Sequence, residues 1–508
     1  MAPAPIGYLS VKGISDALQY LRSTYPAICY STAALNASIE GRAINAIRIA
    51  GGQRSDRRGI LLIAGVHARE LINPDLLIRF ALRLCYAYTH NKDLIFKLPE
   101  GSGKTYSASL VKALVENLDL FILPLVNPDG RAWVQDPAGD FMWRKNRRVN
   151  PGSSCKGVDI NRNFDFLWSS GIGTSSNPCS DIYKGSAPFS EPETQNVRRL
   201  LDTYPNIGYF VDIHSASELI LYPWGDDDNQ TTDPNMNFRN PAYNGKRGNP
   251  GVDPPNKQYR EYIPKADLDW FIATGNRMRD AIATVRGRTY TVQQSVGLYP
   301  TTATTDDYAY SRHFVDATKR KVRGVTLETE RMTSSLSEWG YGFQPPYAEA
   351  LKVMEEVSAA LMEYCIASLC ATETITSGIA RGAELAQMRA FRDQQLAQSP
   401  LGQQWLGLFN NYAGELNTLM VQNDALRVQM AQMLLRLNQV TRMDQEPTLR
   451  VFEPELIHDL NQLLQTIATQ GSPEMQQQIE ALRQAILPLQ GQPVPQGLEL
   501  SAQPAVLS

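Results

Sequence analysis

The sequence has few cysteines, little net charge and no long apolar run, and each shortage excludes a class of protein. Six cysteines in 508 residues are too few for a disulfide-stabilised scaffold. A net charge of −3 gives no reason to expect a nucleic-acid partner. No apolar run is long enough to cross a membrane. Residues 1–5 show no signal peptide, which makes a cytoplasmic location the default expectation.

Strand-like and helical patterns alternate through residues 8–367, which predicts an α/β fold with helices on both faces of a sheet. The strand-like runs are 42–50, 60–64, 118–126, 209–213 and 322–327. The helical patterns are 8–26, 75–88, 191–204, 268–285 and 347–367. Asn73-Pro74 is predicted to begin a helix, segment 127–130 to form a turn, and segment 299–310 to form a polar, aromatic loop.

Three chemically useful side chains stand at the ends of these apolar runs. They are His67, His214 and Glu328. Open α/β sheets bind ligands beyond the carboxyl ends of their strands, so these distant residues are expected to meet at one edge.

The residues at this edge are suited to a catalytic zinc site. Such a site needs three protein ligands and one open position, and His67, Glu70 and His214 offer two nitrogens and a carboxylate. Glu328 is then the candidate general base. The alternative is a structural zinc site, but those are usually closed and rich in cysteine.

Arginines in the loop region 131–190 suggest a substrate that carries a carboxylate. Arg144 and Arg162 could approach the same sheet edge, and a guanidinium binds a carboxylate through two parallel hydrogen bonds. One could polarise a carbonyl, and the other, with Asn161, could hold a terminal carboxylate. Surface charge is the alternative interpretation of each.

Residues 8–368 resemble the zinc carboxypeptidases of the carboxypeptidase A/B (M14) family. The matching motifs follow in the family's order: His67-Ala-Arg-Glu70, Asn127-Pro-Asp-Gly130, Trp143-Arg-Lys145, Asp159-Ile-Asn-Arg-Asn163, residues 214–223, Tyr299 with Asp307-Tyr308, and Thr326-Leu-Glu328. The resemblance implies a mixed eight-stranded sheet flanked by helices, one Zn²⁺ per chain, and removal of the C-terminal residue from peptides or proteins.

The resemblance also implies a role for each matched residue. His67, Glu70 and His214 would bind zinc, and Glu328 would act as base and then as proton donor. The remaining roles are oxyanion stabilisation by Arg144, binding of the terminal carboxylate by Asn161, Arg162 and Tyr299, a neighbouring subsite at Arg69, and support of a ligand imidazole by Asp159.

Asp306 falls where the family sets the floor of the pocket for the C-terminal side chain. An acid there resembles carboxypeptidase B and implies a preference for C-terminal lysine or arginine. The alternative is an acidic loop with one carboxylate turned to solvent. Two residues depart from the pattern: Ala216 lacks the family's aromatic ring, and Glu330 adds an acid expected to share a strand face with Glu328.

Cys155 and Cys179 match a disulfide pair of the family. A closed pair implies an oxidising compartment, as in a secreted mature form, whereas the absent signal peptide argues against export. Both interpretations of the location stay open.

The composition changes after Cys370. Residues 371–508 contain no lysine and 22 glutamines, against nine glutamines in residues 1–370. We therefore expect a catalytic domain over 1–370, an all-α accessory domain over 371–490 and a disordered tail over 491–508.

Residues 405–440 follow a heptad pattern from Trp405 to Val440, with Asn423 at an a position. One interpretation is a coiled coil that joins subunits into a homo-oligomer. The other is a core helix that packs on helices 455–470 and 473–487 of the same chain. Apolar residues outside the a and d positions widen the apolar stripe of this helix, which favours a bundle.

Three functions are compared. The leading hypothesis is a zinc metallocarboxypeptidase that prefers C-terminal lysine or arginine. The alternatives are a zinc amidohydrolase on cell-wall or modified peptides, and a peptide-tail binding protein that acts through its helical domain. An enzyme is favoured because the predicted zinc ligands His67, Glu70 and His214 and the predicted base Glu328 are all present.

Overall fold

A computed structural model describes residues 7–52, 57–251, 259–335, 339–369, 375, 399–440 and 451–493. The chain divides into two units, Met1–Cys365 and Ile366–Ser508.

The first unit is built on a mixed eight-stranded sheet, as the sequence predicts. Its strands in spatial order are β1 (Cys29–Ser31), β2 (Ile47–Ile49), β6 (Leu118–Leu123), β3 (Arg58–Ala64), β7 (Ile207–Ser215), β12 (Arg323–Thr329), β8 (Leu219–Tyr222) and β11 (Thr291–Gln294). Two small ribbons pair β4 (Leu94–Phe96) with β5 (Lys104–Tyr106) and β9 (Asn229–Gln230) with β10 (Glu261–Tyr262).

Helices flank this sheet. They are α1 (Val11–Thr24), α2 (Ile72–Thr89), α3 (Ala108–Asn117), α4 (Pro128–Gln135), α5 (Pro192–Thr203), α6 (Lys265–Arg286), α7 (Thr305–Val315) and α8 (Tyr347–Ser368).

The central strands β3, β6 and β7 are buried along almost their whole length. Continuous apolar runs of this kind are typical of strands that are covered on both faces. Strands β7 and β12 pair in parallel, and their register sets His214 opposite Glu328. The pairing of two long, buried strands thus brings two predicted site residues side by side.

Three local predictions are wrong, and each error has a physical reason. Helix α2 begins at Ile72, so Asn73 lies inside the helix rather than at its N-cap. Asn127 does not form a turn but caps helix α4, because its side chain accepts a hydrogen bond from the Gly130 N–H. The predicted loop 299–310 becomes helix α7 from Thr305 onward, where the surrounding fold overrides weak helical periodicity.

The described part of the second unit is helical. It comprises α9 (Pro400–Asn411), α10 (Ala413–Gln422), α11 (Asp424–Val440), α12 (Pro454–Ala468) and α13 (Pro473–Ile486). Ser399 and Ser472 cap α9 and α13, with proline at the first helical position of each.

The heptad run does not form one continuous helix. It is broken at Tyr412 and Asn423, the residues between α9, α10 and α11. Its apolar residues, such as Met420 and Met430, join one core with Ile457 and Ile479 of α12 and α13. The arrangement is a helical bundle, and a coiled coil between subunits is not shown. From residue 494 onward, the predicted disordered tail lies outside the described residues.

Two further predictions concern cysteine and the membrane. Cys155 and Cys179 form a disulfide. Within the described residues, no helix combines the length and the apolar character that a membrane span requires.

Candidate active site

Three ligand-bearing side chains meet at the carboxyl ends of β3 and β7. His67, Glu70 and His214 are all buried, and one ligand atom from each lies within 4.8 Å of the other two. Nδ1 of His67 stands 2.7 Å from Glu70 Oε1, and Nδ1 of His214 stands 3.1 Å from Glu70 Oε2. The two Nδ1 atoms are 3.0 Å apart. The predicted trio therefore converges on one point.

A second carboxylate stands behind each imidazole. Nε2 of His67 lies 3.1 Å from Asp159 Oδ1, and Nε2 of His214 lies 2.8 Å from Asp212 Oδ2. Such partners fix the ring orientation and leave Nδ1 as the inward-facing nitrogen. Asp159 was predicted in this role, whereas Asp212 was not.

The site strongly favours positive charge. Burial alone would raise the pKa of Glu70, but the two histidines outweigh burial and lower it. Burial alone would lower the pKa of His214, but Asp212 and Glu70 raise it well above its usual value. Two nitrogens and one carboxylate form the donor set of a catalytic zinc site. The donor set and its surplus of negative charge therefore fit a zinc ion.

A hydrogen-bonded group ties together the residues that follow His214 and Glu328. Asn73 Nδ2 lies 3.1 Å from Ser215 Oγ, and the Thr329 hydroxyl donates to Asn73 Oδ1 at 2.8 Å. Ser215 and Thr329 also contact each other at 3.0 Å. The side chain that was predicted to cap a helix instead joins that helix to two site strands.

Glu328 and Glu330 do not share a strand face. Strand β12 ends at Thr329, and Glu330 has a φ of +56°, outside the extended conformation that places alternate side chains on one face. Glu330 is buried and accepts a hydrogen bond from Arg288 at 2.8 Å. Glu328 remains partly accessible, and burial raises its pKa to about 7 although His214 opposes the shift. Glu328 is the acid with the environment of a general base.

Arg144 is anchored by the same carboxylate that supports His67. Its Nε and Nη2 donate to Asp159 Oδ2 at 3.1 and 2.9 Å. Burial opposes ionisation of Asp159, but Arg144 and His67 hold its pKa well below the usual value. Among the described residues, nothing accepts a hydrogen bond from Nη1 of Arg144.

Asn161 and Arg162 lie in a short 3-10 turn, residues Ile160–Arg162, close to the N-terminus of α7. Asn161 Oδ1 accepts a hydrogen bond from the Thr305 N–H at 2.9 Å. Arg162 donates to the carbonyls of Gly173 and Asn161. The guanidinium carbon of Arg162 lies 5.9 Å from the ring centre of Tyr299, which is 47% exposed. The three predicted carboxylate-binding residues thus lie in one region of the first unit.

Arg69 lies beside the metal ligands. Its guanidinium stacks over Phe343 at 4.5 Å and donates to the carbonyl of Met142 at 3.3 Å. These contacts fix the position of the Arg69 side chain.

Asp306 and Asp307 occupy the first turn of α7 and are buried, so neither belongs to a solvated loop. Asp306 Oδ2 accepts a hydrogen bond from Ser295 Oγ at 3.2 Å. Asp307 accepts from the Gly225 N–H at 3.1 Å, and burial raises the pKa of Asp307 well above its usual value. The solvent-exposed alternative for this acid pair is wrong.

Three supporting residues were missed by the sequence interpretation. Asp212 could have been predicted from the sequence, because it stands two positions before His214 on the same strand. Thr305 and Asn73 could not, since their contacts depend on how distant elements pack: the Thr305 hydroxyl donates to Asp212, and Asn73 reaches two strand ends.

Comparison with known proteins agrees with this geometry. The family model described as zinc carboxypeptidase matches residues 14–360. Carboxypeptidase B of Helicoverpa zea is 36% identical over 226 residues, which are 43% of this chain and 47% of that protein. Carboxypeptidase A4 of Mus musculus is 33% identical over 218 residues, again 43% of this chain and 47% of that protein. The chain spans about half the length of these curated relatives.

Two solved structures are similar in fold. Thrombin activatable fibrinolysis inhibitor has a TM-score of 0.54 at 22% identity, covering 70% of this chain and 73% of that one. Carboxypeptidase A from Helicoverpa armigera has a TM-score of 0.51 at 24% identity, covering 70% and 72%.

The sheet, the His-Glu-His site and the family match together define a metallopeptidase fold with a zinc site. The chain belongs to the zinc carboxypeptidase family. The relatives include proteins named A and B, so the family match leaves the preferred C-terminal residue undetermined.

Proposed function

We propose that this protein removes the C-terminal residue of peptides and proteins, with a preference for lysine or arginine. The observation that carries the proposal is the convergence of ligand atoms from His67, Glu70 and His214 within 4.8 Å of one another. Strand pairing sets Glu328 beside His214. A binding protein would have no need for that base beside a metal site.

Each surrounding residue has a specific task in this proposal. Zinc supplies Lewis-acid polarisation of the scissile carbonyl and activation of water. Glu328 takes a proton from the attacking water and returns it to the leaving amine. Arg144, held by Asp159, turns its unpaired Nη1 toward the developing negative charge. Asn161, Arg162 and Tyr299 bind the substrate's terminal carboxylate, which places the last peptide bond at the base.

Asp306 supports the preference for a basic residue. It is 3% exposed and keeps a single hydrogen bond, from Ser295, among the described side chains. A cationic substrate side chain would gain an ion pair there, whereas an apolar one would leave a buried charge without a partner.

The test is kcat/KM on matched blocked dipeptides that end in arginine or phenylalanine, with and without a zinc chelator. We expect chelator-sensitive cleavage that favours arginine. Asp306→Asn should lower the arginine-to-phenylalanine ratio by about 100-fold, the scale of losing one buried charge pair. A preference for phenylalanine would remove the assignment of Asp306 but keep the class of enzyme. No cleavage by folded, zinc-loaded protein would overturn the proposed activity.

Two further proposals concern the organisation of the chain. The Cys155–Cys179 disulfide supports an oxidising compartment. We also propose a catalytic domain over 1–370 and a helical accessory domain over 371–490. Limited proteolysis that releases neither region intact would contradict this division.

A further inference from the structure

Asn146 is a fully buried side chain that joins two segments of the active-site loops. Arg144 lies two positions before it in one segment, and Asp159 follows Val158 in the other. The Asn146 N–H donates to the Val158 carbonyl at 3.0 Å, and the Val158 N–H donates to Asn146 Oδ1 at 2.8 Å. The two hydrogen bonds therefore connect the chain next to Arg144 with the chain next to Asp159.

The side chain of Asn146 takes the place of a main-chain carbonyl in this pairing. The two segments pair in the antiparallel sense at Val149 and Lys156, where main-chain groups make the contact. At Asn146 the main-chain carbonyl accepts instead from the indole N–H of Trp143, at 3.1 Å. The Val158 N–H is satisfied by the amide oxygen of Asn146, so the pairing depends on this side chain.

The other end of the Asn146 side chain restricts the residue type at this position. Its Nδ2 donates to Glu191 Oε2 at 2.7 Å and lies 3.3 Å from Glu193 Oε2. Both acids are buried. An aspartate would place a carboxylate against these two acids, and an alanine would leave the Val158 N–H without this acceptor. The position requires a short side chain that accepts at one atom and donates at another, as asparagine does.

Asp159 is the residue through which this pairing reaches the metal site. Its Oδ1 lies 3.1 Å from His67 Nε2, and its Oδ2 accepts from Arg144 Nη2 at 2.9 Å. The Arg144 carbonyl in turn accepts from the N–H of Ala68, the residue after His67, at 3.0 Å. A change in the spacing of the two segments would therefore displace both a ligand imidazole and the Arg144 guanidinium.

We propose that Asn146 is a positioning residue for His67 and Arg144, because it sets the distance between the segments that carry Arg144 and Asp159. The part that concerns Arg144 rests on the proposed peptidase function, whereas the part that concerns His67 does not. Asn146 is assigned no contact with zinc or substrate. Loss of a group that supports a metal-bound histidine typically lowers metal affinity or activity by about 10- to 100-fold, which sets the expected scale.

The first experiment compares Asn146→Ala with Asn196→Ala as the matched control. Asn196 in α5 is equally buried, and its side chain donates to the Asn36 carbonyl at 2.9 Å and accepts from the Asn36 N–H at 2.7 Å. Both changes remove a buried asparagine that bonds to the main chain of a distant segment. Asn196 differs in that neither of the elements it joins carries a proposed site residue. Urea unfolding measures the loss of stability in each variant.

Two quantities are measured on folded, zinc-loaded, full-length protein. The first is the rate at which a chelator removes zinc, which requires no turnover. We expect this rate to rise about 10-fold in Asn146→Ala and to stay within about twofold in Asn196→Ala. The second is the split between kcat and KM on a blocked dipeptide that ends in arginine. In Asn146→Ala, kcat should fall about 10-fold with little change in KM, because the proposed task of Arg144 lies in the transition state.

The outcomes separate this inference from the proposed function. Equal rates of zinc loss in the two variants would overturn the role of Asn146 at His67, and equal values of kcat would overturn its role at Arg144. No cleavage by the wild-type protein would overturn the proposed function. The comparison of zinc loss would then still decide the role of Asn146 at His67.

A measurement on the wild-type protein decides the case in which Asn146→Ala does not fold. Backbone hydrogen exchange is compared between zinc-loaded and zinc-free protein, in one peptide that contains Val158 and in another that contains Asn36. We expect zinc removal to speed exchange about 10-fold in the Val158 peptide and less than about twofold in the Asn36 peptide. Equal changes in the two peptides, or no change in the Val158 peptide, would contradict the inference.

Discussion

The metal site and the acid cluster formed by Asp226, Glu261 and Asp307 stabilise their buried carboxyl groups in opposite ways. At the metal site, Glu70 and Asp159 each lie against histidine or arginine, and both carboxyl groups have lowered pKa values. In the acid cluster, burial dominates. It raises the pKa of Asp226 to about 7, and those of Asp307 and Glu261 well above their usual values.

The two regions differ in the balance between burial and neighbouring positive charge. At the metal site, the histidines and Arg144 keep Glu70 and Asp159 ionised, as an electrostatically preorganised site requires. In the acid cluster, burial outweighs the effect of Arg247, which lies beside Asp226, and favours protonated carboxyl groups. The first balance favours charged carboxylates, and the second favours neutral carboxyl groups.

Among the variants that test the metal site, Glu328→Gln is expected to have the largest effect. We expect kcat to fall by about 10²- to 10⁴-fold, because the amide cannot take a proton from water. Zinc content, measured by metal analysis, should stay at one per chain, since Glu328 is not a proposed ligand.

Glu330→Gln is the matched control for that variant. Glu330 is buried and paired with Arg288, so its loss should reduce stability and leave most of kcat. A larger loss of kcat in Glu330→Gln than in Glu328→Gln would reverse the assignment of the base.

A smaller effect is expected from Asn73→Ala. This change removes the side chain that joins Ser215 to Thr329, and it leaves their hydroxyls with fewer partners. We expect kcat to fall about 10-fold, since small misplacements of catalytic groups are costly. KM should change little.

Asn117→Ala provides the control for Asn73, because Asn117 is also buried but lies at the end of α3. Both variants should lose stability, as measured by urea unfolding, by about 1–3 kcal/mol. Equal kcat in both variants would show that the strand ends of the metal site hold their positions without Asn73.

The residues of the metal site could be predicted from the sequence, whereas the contacts of the acid cluster could not. His67, Glu70, His214 and Glu328 follow apolar runs, and strand ends of a parallel sheet meet at one edge, so local pattern was sufficient. Asp159 was found by resemblance. The eight-stranded sheet was likewise implied by the family rather than by periodicity.

The acid cluster depends on contacts that no local pattern encodes. Asp226 and Glu261 are 35 positions apart and belong to a polar, proline-rich segment that looks like a solvated loop. Their burial results from folding of that segment onto α7, whose own start at Thr305 was predicted as loop. The heptad run 405–440 failed for a related reason: a regular apolar stripe does not reveal a break at Asn423.

The smallest expected effect is a difference in how the unfolding free energy depends on pH, between a variant in the acid cluster and a variant at the metal site. The folded-state pKa of Asp226 is raised from 3.8 to about 7, so its contribution to stability is complete below pH 4 and is lost as pH rises through 7. Asp226→Asn does not titrate. Relative to wild type, it should therefore gain about 2 kcal/mol of unfolding free energy between pH 5 and pH 8, a value below the single-group limit because Glu261 shares the proton.

Asp159→Asn should behave in the opposite way. The pKa of Asp159 is lowered in the folded protein, so its contribution is present at neutral pH and is lost only as pH falls below its ordinary value. The variant should be less stable than wild type at both pH 5 and pH 8. Urea unfolding at the two pH values, on zinc-loaded protein, gives both comparisons. Parallel pH profiles for Asp226→Asn and Asp159→Asn would mean that the acid cluster is ionised like the metal site, and the contrast between the two regions would then disappear.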